Sequence, residues 1–258
     1  MNKSSITMTA AGVAIDESYI TPMSTASAKD ATPEAVAGNP AIPDYLVDTY
    51  TWAYVRPQNI RFLDRGIVVE SILWGNGRYL MDWAFCEFAP GQDIMQPASV
   101  YGPFSRRLAN VVGPEGSLEV RDIQPVQVEH TRVKVADCKH VTLKVADASQ
   151  PVGREFDGIC CFFLLHEVPD DWKTRIINAL LAGVRPGGKV VFVDYHRPAT
   201  LHPLRPIMMA VNRFLEPYAD ALWKRDIRSF ATRDEGFTWT KETCFGGLYQ
   251  KVVAVRAE

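Results

Sequence analysis

Between residues 90 and 256 the chain alternates between two periods. Short apolar blocks recur: Ile94-Met95, Ser117–Ile123 (SLEVRDI), Val141–Val145 and GICCFFLL after Phe156-Asp157. Lys189–Tyr195 (KVVFVDY), Gly236–Glu242 (GFTWTKE) and Leu248–Val255 (LYQKVVAV) follow. Each is short enough to be a strand. Between them the apolar positions fall at helical spacing, as in Phe104, Leu108 and Val111, and again in Trp172, Ile176, Ile177, Leu180 and Leu181. Strands alternating with amphipathic helices predict a doubly wound α/β sheet of about seven strands. GICCFFLL is apolar on both faces and suits a central parallel strand. The last two strands, joined at Gly246-Gly247, read as an antiparallel pair.

Three stretches stand outside that rhythm. Residues 1–40 are rich in Ser, Thr, Ala and Pro without a sustained period, which predicts a mobile arm. Asp16, Glu17, Asp30 and Glu34 argue against an organellar presequence, and no basic region precedes an apolar block as in a secretory leader. Residues 41–90 are dense in aromatics, with Tyr45, Tyr50, Trp52, Tyr54 and Phe62. They predict two or three helices, with Ile67, Ser71 and Trp74 marking one face and Val68, Ile72 and Leu73 beside it. Such a segment either fills the core or forms a lid over a flat apolar ligand. Residues 201–223, LHPLRPIMMAVNRFLEPYADALW, predict an interrupted amphipathic helix. It serves core and subunit packing, or makes a wall for a lipid tail or a surface that touches a bilayer.

Composition narrows the partners. The formal net charge is −2 with acids and bases interspersed, so no nucleic-acid footprint is expected. The five cysteines, Cys86, Cys138, Cys160, Cys161 and Cys244, are irregularly spaced and form no CxxC pair, which points to a reducing compartment. No apolar run is long enough to span a bilayer.

Candidate chemistry gathers at the carboxyl ends of the predicted strands, where open α/β sheets bind ligands. The first turn, DIMQPASVYGPFSRRL (Asp93–Leu108), is where a nucleotide-like ligand sits in such folds. Asp122 ends the second strand twenty positions after Gly102, the spacing that places an acid on ribose hydroxyls. Asp147-Ala148 follows the third strand, His166-Glu167 the fourth, and Asp194, Tyr195 and His196 the fifth. A strand-end Asp can equally be a solvated terminus, and His166 can equally cap a loop carbonyl.

The order of strand, turn, acid, Asp-Ala, Phe-Asp and then helix–Pro-Gly-Gly–strand resembles the class I S-adenosylmethionine-dependent methyltransferases. The ubiquinone/menaquinone C-methyltransferase type is the particular match. FDGICCFFLLHEVPDDWKTRIINALLAGVRPGGKVVFVDYHRP carries the likeness most specifically. The resemblance implies a Rossmann-like seven-stranded, mostly parallel sheet with an antiparallel final strand. It implies a domain over 91–258 that binds S-adenosylmethionine, or S-adenosylhomocysteine as product analogue, beneath a helical lid over 41–90. In it Asp122 would hold the ribose, Ile123 would pack on adenine, and Asp147 and the Ala148 backbone would bond the base.

The first turn departs from that family. Its pattern is an acid followed by Gly-x-Gly-x-Gly; here Gln96, Ala98 and Val100 take the places of the acid and two glycines, and only Gly102 remains. The altered turn, QPASVYGPFSRRLA, and the preceding DRGIVVESILWGNGRYLMDWAFCEFAPGQ are similar to those of rhodoquinone biosynthesis proteins. That resemblance implies conversion of ubiquinone to rhodoquinone, an amino group replacing a ring methoxy group. S-adenosylmethionine is the amino donor there and Mn2+ assists. It places Gln96, Ser99, Tyr101 and Gly102 against the amino-acid half of the cofactor. Tyr101, His166, Tyr195 and His196 become catalytic candidates. Manganese favours oxygen and imidazole donors, so His166, Glu167, Asp194 and His196 are the candidate ligands. A long quinone tail implies peripheral contact with the cytoplasmic face of the inner membrane. Ordinary C- or O-methylation of a quinone or another lipid-like acceptor is the alternative activity, and a degenerate fold that binds a lipid or a protein is a third.

Overall fold

In the computed structural model, residues 40, 43, 45, 46, 64 and 66–258 are described. The expected arm over 1–40 and most of the aromatic segment, including Tyr50, Trp52, Tyr54 and Phe62, lie outside the described residues. The chain enters through α1 (Gly66–Ile72) and α2 (Gly77–Phe85). It continues through β1 (Asp93–Gln96), α3 (Phe104–Val112), β2 (Ser117–Asp122), α4 (Pro125–Lys134), β3 (Val141–Val145) and β4 (Phe156–Phe162). Then come α5 (Asp170–Ala182), β5 (Val184–Tyr195), α6 (Arg205–Phe214), α7 (Asp220–Lys224), β6 (Phe237–Cys244) and β7 (Tyr249–Arg256).

The seven strands form one sheet in the order β3-β2-β1-β4-β5-β7-β6. β1 to β5 pair in parallel, with Ile94 opposite both Leu118 and Gly158. β7 is antiparallel to both β5 and β6. The order reverses at β1 and β4, so the loops after these strands diverge and leave a crevice at the carboxyl edge.

The period-two alternation of β4 divides the core. Cys160 and Phe162 face one side, with Phe104, Leu108 and Leu80. Ile159 and Cys161 face the other, with Ile176, Ile177, Leu180 and Leu181 of α5. Both cysteines are buried thiols without disulfides and act as small apolar fillers. Gly158 is glycine for want of space: a Cβ there would lie 2.6 Å from the Phe88 ring.

One expectation changes. Leu73 is buried, whereas Ser71 and Trp74 are exposed. The helix ends at Ile72 and the backbone turns through Trp74 and Gly75 at φ of 54° and 75°, which swings Trp74 off the expected face. Residues 201–223 are indeed interrupted, into α6 and α7, and Pro217 lies in the break. Lys173, inside the apolar face of α5, is fully buried; its ammonium donates to the carbonyls of Val168 and Tyr218 and to Asp170.

Candidate active site

One cavity of about 240 Å³ opens at the carboxyl edge of the sheet. Its walls join Pro97–Tyr101, Asp122-Ile123, Asp147-Ala148, His166-Glu167 and Tyr195. These residues come from five different loops, and they include most of the expected site. Gln96, Gly102, Asp194 and His196 do not line it.

The turn after β1 is braced by side chains. Gln96 is fully buried, and its side-chain amide donates to the Ala98 carbonyl at 2.7 Å, inside the turn rather than toward a ligand. The Ser99 amide donates to Asp122 Oδ2. One face of α4 supplies the rest, at positions 127, 130, 131 and 134, a spacing that puts them side by side. Gln127 donates to the Tyr101 hydroxyl, Thr131 to Ser99 Oγ, and the Lys134 ammonium to the carbonyls of Val100 and Gly102. Asp64 takes the Gly102 amide and Lys134, and His130 Nε2 lies 2.9 Å from it. Gly102 therefore has a bracing role, not a ligand-facing one. Its φ of 75° strains any other residue. Gly102→Ala should cost about 1–2 kcal/mol in urea denaturation, since the added Cβ meets Val69 only at an ordinary 3.5 Å.

Asp122 is buried at the end of β2. It accepts the amides of Gln124 and Ser99. Burial pushes its carboxyl up to about 6 despite those bonds, which pull the other way. The Ser99 side chain bonds it as well, and a carboxylate's roughly four acceptor sites still leave room for a further donor. Asp147 accepts the Ser149 amide in a local turn, and Ala148 stands beside it on the cavity wall. A paired diol donates best to the ionised form of Asp122. Affinity for a ribose-bearing ligand should therefore hold at pH 7 and weaken about tenfold at pH 5, measured by calorimetry.

The opposite wall is aromatic. Tyr45 packs on Trp172 with ring centroids 5.1 Å apart, and both face the cavity. Phe163, at φ 50°, meets Tyr195 and His166 edge-on. His166 Nδ1 lies 2.9 Å from Asp194 Oδ1, and Nε2 lies 3.8 Å from Glu167 Oε1. Burial alone would lower the His166 pKa. The charge and hydrogen bond of Asp194, with Glu216 and Glu167, outweigh it and raise the value to about 9. His166 is thus a cation at neutral pH, with its second nitrogen on the Glu167 side. The same burial, with Tyr249 and nearby carboxylates, pushes the Tyr195 phenol well up.

The expected metal set is not assembled. Asp194 spends its oxygens on the amides of Leu165, His166 and Tyr195 and on the His166 ring. His196 turns away, its Nδ1 bonded to the Gly247 carbonyl. This leaves His166 and Glu167 as the pair of expected donors on the cavity wall. Among the described residues no group of three His, Cys, Asp or Glu side chains could hold a metal ion. The candidate ligands therefore do not fit Mn2+ as a four-residue set.

Sequence reasoning passed over Phe163, Gln124, Gln127 and Glu216, all of which line the cavity. Glu216 had a usable signal: it is the single acid between Asp194 and Asp220.

Residues 94–188 match the model of the methyltransferase domain family. The ubiquinone/menaquinone biosynthesis C-methyltransferase of Coxiella burnetii (strain Dugway 5J108-111) is 28% identical over 163 residues, covering 60% of this chain and 64% of that protein. The corresponding protein of Vibrio parahaemolyticus is 26% identical over 146 residues, covering 55% of each. The chain thus spans less than two thirds of the length of these curated relatives. Among solved structures, an S-adenosylmethionine-dependent methyltransferase from Aquifex aeolicus aligns with a TM-score of 0.51 at 17% identity, covering 78% of this chain and 99% of that one. Human N-acetylserotonin methyltransferase, solved with S-adenosylmethionine, aligns at 0.55 with 16% identity, covering 83% and 62%. The fold is that of the class I methyltransferases. The match over 94–188 spans the turn after β1, both strand-end aspartates and His166, whereas Tyr45, Ile72, Tyr195 and Glu216 line the cavity from outside it.

Proposed function

We propose that this chain is an S-adenosylmethionine-dependent transferase acting on a quinone ring, related to the ubiquinone/menaquinone C-methyltransferases. Its reaction is the replacement of a methoxy group of ubiquinone by an amino group to give rhodoquinone. The observation that carries the reading is a single cavity with two unlike walls. One is the adenosine-type edge of Asp122, Ile123, Asp147 and Ala148; the other is an aromatic wall ending in His166 and Tyr195. A flat ring suits the second wall, and a nucleoside suits the first. The residues present fit S-adenosylmethionine, which supplies the group to be transferred.

The chain's own residues have separable tasks. Asp122 accepts from the ribose hydroxyls, Asp147 and the Ala148 backbone meet the base, and Ile123 packs on it. The tight turn from Pro97 to Tyr101 faces the amino-acid half, with Tyr101 and Ser99 as polar groups. Replacing the family's acid by Gln96, whose amide bonds inward, takes a negative charge away from that half. The donor's amine is then no longer paired where a methyltransferase would pair it, which favours amination over methylation.

At the ring, a new C–N bond would form between the donor's amine and the carbon bearing methoxy, whose C–O bond breaks as methoxy gains a proton and leaves as methanol. The ring would then take two electrons and the proton from the donor's α-carbon. Water would cleave the resulting imine, leaving an aminohydroquinone that air reoxidises and releasing the donor as its 2-oxo acid. Charge develops on the quinone oxygen on the way. The His166 imidazolium, held by Asp194, is placed to donate to that oxygen from Nε2. Tyr195 continues the wall beside His166 and Phe163.

Incubation with a short-tail ubiquinone and S-adenosylmethionine, with and without Mn2+, followed by mass spectrometry, tests the reading. An amino-quinone, lighter than the substrate by the difference between methoxy and amino groups, is expected. A quinone heavier by one methylene, or no change, would count against it.

A further inference from the structure

From Tyr195 to Leu215 the chain carries no acid, while Arg197, Arg205 and Arg213 are spaced along it in a protein whose net charge is −2. The same stretch holds five of the ten large apolar side chains that are exposed among the described residues. Leu201 is 95% exposed, Phe214 75%, Met209 56%, Leu215 50% and Ile207 46%. α6 packs on the core through Met208 and Val211 and presents Ile207, Met209, Ala210 and Phe214 outward. A helix of a soluble protein normally does the reverse. Scattered exposed apolar residues need no explanation, but a run of this kind along one helix does.

The patch continues beyond α6. Phe245 lies 5.3 Å from His202, beside Leu201, and stacks on Tyr249, whose hydroxyl donates to the Leu73 carbonyl. Leu73 is flanked by the exposed Ile72 and Trp74. Trp74 and Phe245 sit at φ of 54° and 49°. Left-handed backbone is unfavourable for bulky residues, and such strain persists where the surrounding structure imposes it, often at working surfaces. Here it holds two large rings at the surface. Ile72 also lines the cavity, so the apolar belt reaches the cavity wall.

We infer that α6 and its flanking loop, with Trp74 and Phe245, form a docking face for an anionic lipid bilayer. The occupant follows from the chemistry of the face. Exposed apolar side chains suit the acyl boundary, and cations outside any ion pair suit phosphate headgroups. Among the described residues, Arg197, Arg205 and Arg213 take part in no ion pair. No helix of the described residues is long and apolar enough to cross a membrane, so the contact is one of lying on the surface. None of these features depends on what the cavity binds.

Vesicle co-sedimentation of the full chain tests the inference without any assay of activity. Wild type should bind phosphatidylcholine vesicles doped with phosphatidylglycerol at least tenfold more tightly than pure phosphatidylcholine. Ile207→Glu with Phe214→Glu, both at exposed positions, should abolish binding with an unchanged circular dichroism spectrum. Arg197→Ala, Arg205→Ala and Arg213→Ala together should remove the preference for anionic lipid, about fivefold per arginine. Equal binding by the glutamate variant, no binding by wild type, or no loss of preference in the arginine variant would overturn the inference. So would a dimer in light scattering that the glutamate variant turns into a monomer, since a second copy would then cover the face.

Discussion

Asp122→Ala should weaken S-adenosylmethionine binding by about a hundredfold or more in calorimetry, with the fold retained. The carboxylate is buried on the cavity wall, and that burial pushes its titration up to about 6. Two hydrogen bonds to a charged group are worth about 1.5–3 kcal/mol each, and a ribose would supply both donors. The alanine variant also leaves the amides of Ser99 and Gln124 without their acceptor, which loosens the turn after β1. Against that, it removes a buried carboxylate whose raised pKa disfavours folding. Stability from that group is highest below about pH 4 and falls as pH rises through about 6. Net stability should therefore change little while affinity collapses. Asp122→Asn separates charge from geometry: it keeps an acceptor oxygen, and its binding should stay flat as pH falls from 7 to 5, where the wild type declines.

Asp194→Ala should be the most destabilising single change at the site, by about 3–5 kcal/mol. Its carboxylate accepts from three backbone amides and from the His166 ring, all of them buried. Removing it leaves a buried imidazolium without its counter-charge and three amides without an acceptor. At roughly 2–4 °C per kcal/mol for a chain of this size, the thermal midpoint should fall by about 10 °C. The pH dependence has a definite sign. His166 is raised from an ordinary value of about 6.5 to about 9. Its ion pair therefore contributes full stability below about pH 6.5, and that contribution is lost as pH rises through about 9. In Asp194→Asn the imidazole loses its charged partner, so both the stability loss and the activity loss on raising pH should begin at lower pH. A purely structural role for Asp194 would shift stability without moving the activity profile.

Much of the fold was legible because its elements obey one period each. β4 alternates between two cores, α5 carries an apolar stripe interrupted only by Lys173, and the strand-end positions of Asp122, Asp147 and His166 follow from where those strands stop. α4 was not legible, and the reason is physical. Its inward face is Gln127, Thr131 and Lys134, polar side chains committed to the turn after β1, so no apolar stripe marks the helix. The same commitment hid what replaced the missing glycines: bracing comes from a helix and from Asp64, both distant in sequence from the turn. The metal set failed for a related reason. Asp194 and His196 do stand at the sheet edge, but a strand-end position does not reveal which way a side chain turns. One of them faces backbone amides and the other the β6–β7 connection. Phe163 and Glu216 line the cavity through a local backbone turn and through the break after α6, which no period records.

A crystal structure of the complex with S-adenosylhomocysteine tests the central claim most directly. The ribose hydroxyls should meet Asp122, the adenine should lie between Ile123 and the Asp147-Ala148 pair, and the amino-acid end should lie against Pro97–Tyr101 with Gln96 still turned to the Ala98 carbonyl. Density for the nucleoside anywhere else, with Asp122 and Asp147 unengaged, would contradict it.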